Sequence, residues 1–325
     1  MLKYIKTIKS QYPGQLWILF WGYMISTIGT SMVWPFMVIY ASQKLAMPLT
    51  TVVSLLTINS FMSLVSSLIA GPITDRIGRK NVMFVSLALH GITYLLYSWA
   101  NTLPMFIFIM ALSGAVGPIY RVAADAMVAD MIPSEKRVDA YALIRMGHNV
   151  GVAIGPAIGG FIASASYNYI FYIAASGLLF FSILIMTSAY ETIPDEFRTT
   201  EPKKEAFGGY LEIFRDKLFL FICTGFTIVT IGASLVFVLL AVYAKENFGI
   251  PESQYGFIMA SNAAMVVVFQ VAVTRFTKQF PSIPVMTIGA LLYSLGIGSI
   301  ALGSSFQSFL LSMVILSMGE MLLVP

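Results

Sequence analysis

Charge is scarce in this chain. Of 325 residues only 10% are Asp, Glu, Lys or Arg, while 58% are hydrophobic, a balance outside that of water-soluble domains. Cysteine occurs once, and the lone Cys223 can close no intramolecular disulfide and supply no metal-ligand cluster, so it reads as a small apolar packing residue. There is no His-Glu-x-x-His, no metal-binding pair of acids within an apolar run and no nucleophile elbow, which argues against an enzyme and calls for no cofactor. The short alternating segments of an outer-membrane barrel are missing too.

What the sequence has instead is apolar length. A hydrocarbon layer roughly 30 Å thick needs about 20 mostly apolar helical residues to cross it. Ten such runs lie near 16–40, 50–72, 81–100, 104–128, 140–163, 168–189, 217–243, 254–275, 284–303 and 306–325. With strands excluded, a helical bundle is the remaining spanning architecture. The chain is therefore expected to be an all-α membrane protein with ten transmembrane helices, lodged in the lipid bilayer of the cell membrane.

The basic residues orient it. Lys3, Lys6, Lys9, the Arg76–Lys80 loop, Lys136, Arg137, the basic residues of 198–217, Arg275 and Lys278 all fall on one side, and only Lys44 and Lys245 on the other. Because Lys and Arg gather in cytoplasmic loops, the N-terminus is expected in the cytoplasm. The net charge of +4 reads as this bias, and no nucleic-acid partner is implied. The first apolar run is too long for a signal peptide and is read as the first helix.

A shift of 203 residues places the second part of the chain on the first without a gap. Thr27-Ile28-Gly29-Thr30-Ser31 falls on Thr230-Ile231-Gly232-Ala233-Ser234, Tyr40-Ala41 on Tyr243-Ala244, and Asn59 on Asn262. Six helices precede the second copy, an even number, so the copies run parallel. The expected domains are a six-helix half, 1–190, a cytoplasmic linker, 191–216, rich in charge, Pro and Gly, and the first four helices of a second half, 217–325. By the same shift an intact second copy reaches about residue 393, so the chain reads as a truncated form.

Between the second and third runs stands Gly71-Pro72-Ile73-Thr74-Asp75-Arg76-Ile77-Gly78-Arg79-Lys80, which resembles the loop signature of the major facilitator superfamily at every specified position. On the fifth run, Gly147, Gly151, Gly155 and Gly159 recur every four residues and form one smooth face for close helix packing. With Pro156 and Gly160 this stretch resembles the antiporter signature of the superfamily's drug:proton exchangers. The resemblance implies two six-helix halves rocking about a central cavity by alternating access, with the loop signature as a conformational latch and export as the direction. It further implies a small amphipathic compound or drug as substrate, protons as the coupling ion, and a monomer. An importer of a sugar, osmolyte or organic acid is the alternative, and a non-transporting membrane receptor the alternative of another class.

Charged groups within the runs each need a partner, water or a task, since one at mid-membrane costs about 2.5–3.5 kcal/mol on insertion scales. Arg121 and Asp125 share a face of the fourth helix, Arg145 and His148 lie on the fifth, His90 on the third and Glu320 on the tenth. Asp125 and Glu320 are the acids within the spans and hence the proton-carrier candidates. Asp130 is expected to pair with Arg76 or Arg79, and Asp125 with Arg121 or Arg145. Asn59, Asn262 and Trp34, with Trp21, Tyr23 and Phe237, are candidates to line the cavity.

Overall fold

A computed structural model describes residues 11–163, 166–193, 214–250 and 252–323. Among them are ten α-helices and no strand. They are α1 (Gly14–Leu45), α2 (Leu49–Ile77), α3 (Arg79–Trp99), α4 (Leu103–Met131), α5 (Ser134–Ala163), α6 (Tyr167–Ser188), α7 (Lys217–Phe248), α8 (Glu252–Thr277), α9 (Ser282–Ile300) and α10 (Phe306–Leu323). Eight of them, all except α5 and α7, contain a described stretch long and apolar enough to cross a membrane. α7 contributes a shorter apolar stretch, Lys217–Gly232.

The helices overrun the apolar runs that announce them. α4 continues past the run at 104–128 through Asp130 to Met131, and α5 begins at Ser134, so Glu135, Lys136 and Arg137 are helical although they lie outside the run at 140–163. An apolar run marks only the part of a helix that meets hydrocarbon, whereas the intrahelical ladder keeps its backbone satisfied out into the headgroups and water.

The chain divides into two compact units, Met1–Gly208 and Gly209–Pro325. Most of the expected linker falls outside the described residues, which include only its ends, 191–193 and 214–216. In the first unit α1 packs chiefly on α5 and α6, α3 on α4 and α6, and α2 on α4. Two apolar cores result. One gathers Leu16, Leu19, Met83, Leu87, Met127 and Phe181, and the other Met32, Met37, Tyr40, Tyr97, Phe106 and Phe171. In the second unit α10 packs on α9 and α8 around Val236, Tyr293, Phe309, Met313 and Leu316. The pairs α8–α10 and α9–α10 correspond, at the 203-residue shift, to α2–α4 and α3–α4.

Small polar side chains fasten these contacts. Along α2, the Asn59 amide donates to the Met110 carbonyl of α4 at 3.0 Å and Ser63 Oγ to that of Gly114 at 3.3 Å, with Ser66 bonding Ala115 further along. Ser86 of α3 donates to the Val116 carbonyl at 2.6 Å and accepts the Tyr120 N–H at 3.1 Å, while Ser182 of α6 reaches back to the Phe84 carbonyl at 2.9 Å. A hydroxyl or amide with no water nearby must find such a partner, and small residues let two backbones come close enough to provide it.

The glycine face of α5 meets α1. A Cβ on Gly159 would lie 2.8 Å from the Met32 backbone, one on Gly151 would lie 2.7 Å from Thr27 Cβ, and one on Gly155 would overlap Ser31. Ser31 Oγ uses the proximity to donate to the Gly151 carbonyl at 3.0 Å. Gly155→Val is accordingly expected to overpack this crossing at a cost of about 1–3 kcal/mol. Gly225→Ala, where an added Cβ finds no atom within 4 Å, is expected to leave stability unchanged or raise it slightly. Thermal unfolding of the two variants in detergent checks the contrast, and equal midpoints would refute it.

Candidate functional site

The loop signature is built around one residue that does two jobs. Gly78 ends α2, donating its N–H to the Thr74 carbonyl at 3.1 Å, and immediately caps α3 at φ 101°. Only glycine holds that backbone conformation without strain. The turn has no room for a Cβ in any case, because the carboxylate of Glu191, just beyond α6, occupies the place where one would go.

Arg79 follows and organises the charges. Its guanidinium pairs with Asp75 on the preceding turn and with Asp130 at the end of α4, both at 3.0 Å, and NH1 donates to the Thr74 carbonyl at 3.2 Å. Of the two arginines weighed as the partner of Asp130, Arg79 makes the bond. Thr192 Oγ1 donates to the same Asp130 oxygen at 3.2 Å. Arg76 lies exposed. Lys80 enters the cluster through its backbone N–H, which donates to Glu191 at 3.1 Å. At Gly71 the neighbourhood is open, with no described atom within 4 Å of an added Cβ, so no close helix approach is made there within this unit.

Inside the bundle a second set of polar groups gathers where α1, α3, α4 and α5 meet. Arg121 has the phenol groups of Tyr23 and Tyr120 beside its guanidinium, and with this company it does not close an ion pair with Asp125 one turn along. Tyr23 stacks edge-on against His148 at 6.0 Å and lies 5.7 Å from Tyr120, ring centre to ring centre. His148 Nδ1 lies 3.3 Å from Thr27 Oγ1. The His90 ring fills the space beside Gly117. Asp125 and Arg121 are both exposed within the first unit, and the Asp125 carbonyl accepts a hydrogen bond from the Tyr141 hydroxyl at 2.8 Å.

The second unit holds its own acid. Asn262 of α8 donates one amide hydrogen to Glu320 Oε2 and the other to Ser317 Oγ on α10, each at 2.9 Å. Ser317, fully buried, passes its hydrogen to the Met313 carbonyl at 2.7 Å. Both asparagines expected at a cavity wall thus clamp a helix pair, Asn59 in α2–α4 and Asn262 in α8–α10. Trp34 and Trp21 lie exposed on α1. The side chain of Phe237 and the surroundings of Gly160 lie outside what is described. Among the described residues no group of three or more His, Cys, Asp and Glu is placed to hold a metal ion.

Residues 19–325 match the Major Facilitator Superfamily. The chain belongs to that superfamily. Membership makes it a multi-pass membrane transporter and not an enzyme. It is 28% identical to a Na(+), Li(+), K(+)/H(+) antiporter of Planococcus maritimus, over 90% of this chain and 76% of that protein. It is 26% identical to multidrug resistance protein 1 of Bacillus subtilis (strain 168), over 81% of this chain and 67% of that one. The fold matches the crystal structure of a human organic anion transporter with a TM-score of 0.74 at 18% identity, covering 96% of this chain and 84% of the other.

Glu191, Thr192 and the first-helix residue Gln15 did not emerge from the sequence. The available signal was weak, namely that Glu191 is the first charge after the run at 168–189. The two pairs of Arg79 are unequal. The side chain of Asp75 is 66% exposed and that of Asp130 21%, so water weakens the first pair far more than the second. Arg79→Ala is expected to cost about 2–3 kcal/mol by leaving Asp130 without its cation, and Asp75→Asn less than about 1 kcal/mol. Thermal unfolding of both variants measures the difference, and equal losses would refute the ranking.

Proposed function

We propose that this transporter works by alternating access and expels small amphipathic compounds or drugs from the cytoplasm in exchange for protons, as a monomer with its N-terminus in the cytoplasm. The single observation that carries the coupling is Glu320, a carboxyl group in the apolar helix α10 whose oxygen is held by the neutral amide of Asn262 at 2.9 Å. A carboxyl group within a membrane span can serve as a proton carrier, and a carboxylate and a carboxylic acid accept differently from the amide of a neighbouring helix. Asp125, exposed on α4 beside Arg121, is the carrier candidate of the first unit, at a different position in the repeat.

Direction and cargo class draw on the relatives, which include an antiporter exchanging cations for protons and a multidrug resistance protein. The ten helices, and the recurrence of the α2–α4 and α3–α4 pairings as α8–α10 and α9–α10, support two parallel copies, and the basic loops support the orientation. The polar groups around Arg121, together with Asn59, Asn262 and Trp34, are proposed to border the substrate path. The Asp75–Arg79–Asp130 cluster, with Gly71, Arg76, Gly78 and Lys80, is proposed as the latch that holds one end state. The α5 glycines Gly151, Gly155 and Gly159, within the signature that Pro156 and Gly160 complete, are proposed as the surface against which α1 shifts.

Everted membrane vesicles carrying the protein test this reading through uptake of a fluorescent cationic dye. Uptake is expected to need the pH gradient and to fall at least tenfold in Glu320→Gln, with a lesser loss in Asp125→Asn. Absence of gradient-dependent uptake by the unaltered protein would remove proton-coupled efflux, and full activity in Glu320→Gln would remove Glu320 as the carrier.

A further inference from the structure

The first turn of a helix presents backbone N–H groups with no intrahelical partner, normally met by a side chain at the cap or an acid in the first turn. α3 has neither. Its cap is Gly78, which has no side chain, and its first turn contains no acidic residue. The missing acceptor comes from more than a hundred residues away. Glu191 Oε1 accepts the Arg79 N–H at 2.9 Å and Oε2 the Lys80 N–H at 3.1 Å. The same carboxylate accepts the N–H groups of Thr192 at 2.9 Å and Ile193 at 3.2 Å. Four backbone donors therefore converge on one anion, an arrangement that fixes the segment after α6 and the start of α3 as a single unit.

The neighbours of Glu191 are tied as firmly. Tyr190 uses both backbone groups on one side chain, its N–H donating to Gln15 Oε1 and its carbonyl accepting from Gln15 Nε2, each at 3.0 Å. Thr192 donates to Asp130, the acid that Arg79 pairs with. Residues 190–192 thus join three places, namely the start of α1, the α2–α3 turn and the end of α4. Each bond is local, yet together they set where Gly78 sits and hence how Asp75 and Arg79 are presented.

We infer that Glu191 is a positioning residue for transport: its carboxylate, acting as the remote cap of α3, holds the loop signature in its latching geometry, and the chain leaving α6 is thereby a working part of the latch. A displacement of the chain after α6 then opens the α2–α3 turn without any change in the loop's own sequence. The close fit of the carboxylate against Gly78 makes the two residues one device, since a side chain at 78 would expel the carboxylate as surely as removing it would. The inference concerns the latch and stands whichever compound is carried.

Hydrogen exchange of the purified protein in detergent, read on peptides that begin at or before Arg76 and span Arg79 and Lys80, tests it beside transport. Glu191→Gln and Gly78→Ala are each expected to speed exchange of the Arg79 and Lys80 amides at least tenfold. Each is also expected to cut dye turnover about tenfold, with KM changed less than about twofold. The double variant is expected to be no worse than either single one. Exchange at the α3 start unchanged in Glu191→Gln, or turnover unchanged despite faster exchange, would overturn the assignment. So would a proportional rise in KM, or losses that multiply in the double variant. Should Gly78→Ala fail to fold, the conservative Glu191→Asp replaces it, and exchange and turnover intermediate between wild type and Glu191→Gln are then expected, with wild-type values for both counting against the inference. A failure of dye uptake in the unaltered protein is a failure of the efflux reading, and the exchange measurement alone then decides this one.

Discussion

A polypeptide in hydrocarbon has no water to satisfy its amides, and everything else in this chain follows from where those groups are satisfied. Along the spans the helix itself meets the demand. Between helices the same demand governs the side chains, so that contacts are written in serine hydroxyls and asparagine amides aimed at carbonyls of a neighbour, as from Ser86 to Val116, Ser182 to Phe84 and Asn59 to Met110. Such bonds are modest singly, about 0.6 kcal/mol on average in one measured membrane protein. Their value here is registry, because each fixes which turn of one helix faces which turn of the next.

The demand is hardest to meet where a helix must end. At the α2–α3 turn the chain reverses through a single residue, which leaves no loop to supply a cap. Glycine makes the reversal sterically possible, and its lack of a side chain creates both the shortage of an acceptor and the space into which a remote carboxylate fits. The charges gathered there, Asp75, Arg79, Asp130 and Glu191, are consequently a property of the turn's geometry as much as of the membrane surface. A solvated loop that served only to orient the protein would need basic residues in number, without a guanidinium shared between two acids.

The fold was legible because its cause is one-dimensional. Hydrocarbon thickness converts directly into run length, and the four-residue spacing of the α5 glycines converts into a single helix face, which α1 indeed occupies. The cytoplasmic cluster was legible only in part. Arg79 and Asp130 lie 51 residues apart and were joined by charge and membrane side alone, a criterion that admitted Arg76 equally. The choice between the two arginines depends on the phase of α3 after Gly78, and a break in the helix resets that phase. Glu191 was read as linker because charge, proline and glycine around it describe a solvated connection. The first three residues of that connection fold back onto the bundle through bonds to backbone groups, and backbone acceptors and donors leave no trace in residue identity.

The asparagines show the same limit from the other side. Asn59 and Asn262 are matched at the 203-residue shift, as are Gly114 with Ser317, Gly117 with Glu320 and His90 with Tyr293. In the first unit Gly114 of α4 lies against the Asn59 backbone, the Asn59 amide bonds the Met110 carbonyl one turn before it, and His90 fills the space beside Gly117. In the second unit the glycines are replaced by a hydroxyl and a carboxyl group, and both amide hydrogens of Asn262 turn to them. One amide thus serves as a plain helix clamp in one unit and as the partner of a titratable group in the other. The difference arises from two substitutions on the facing helix, not from the asparagine.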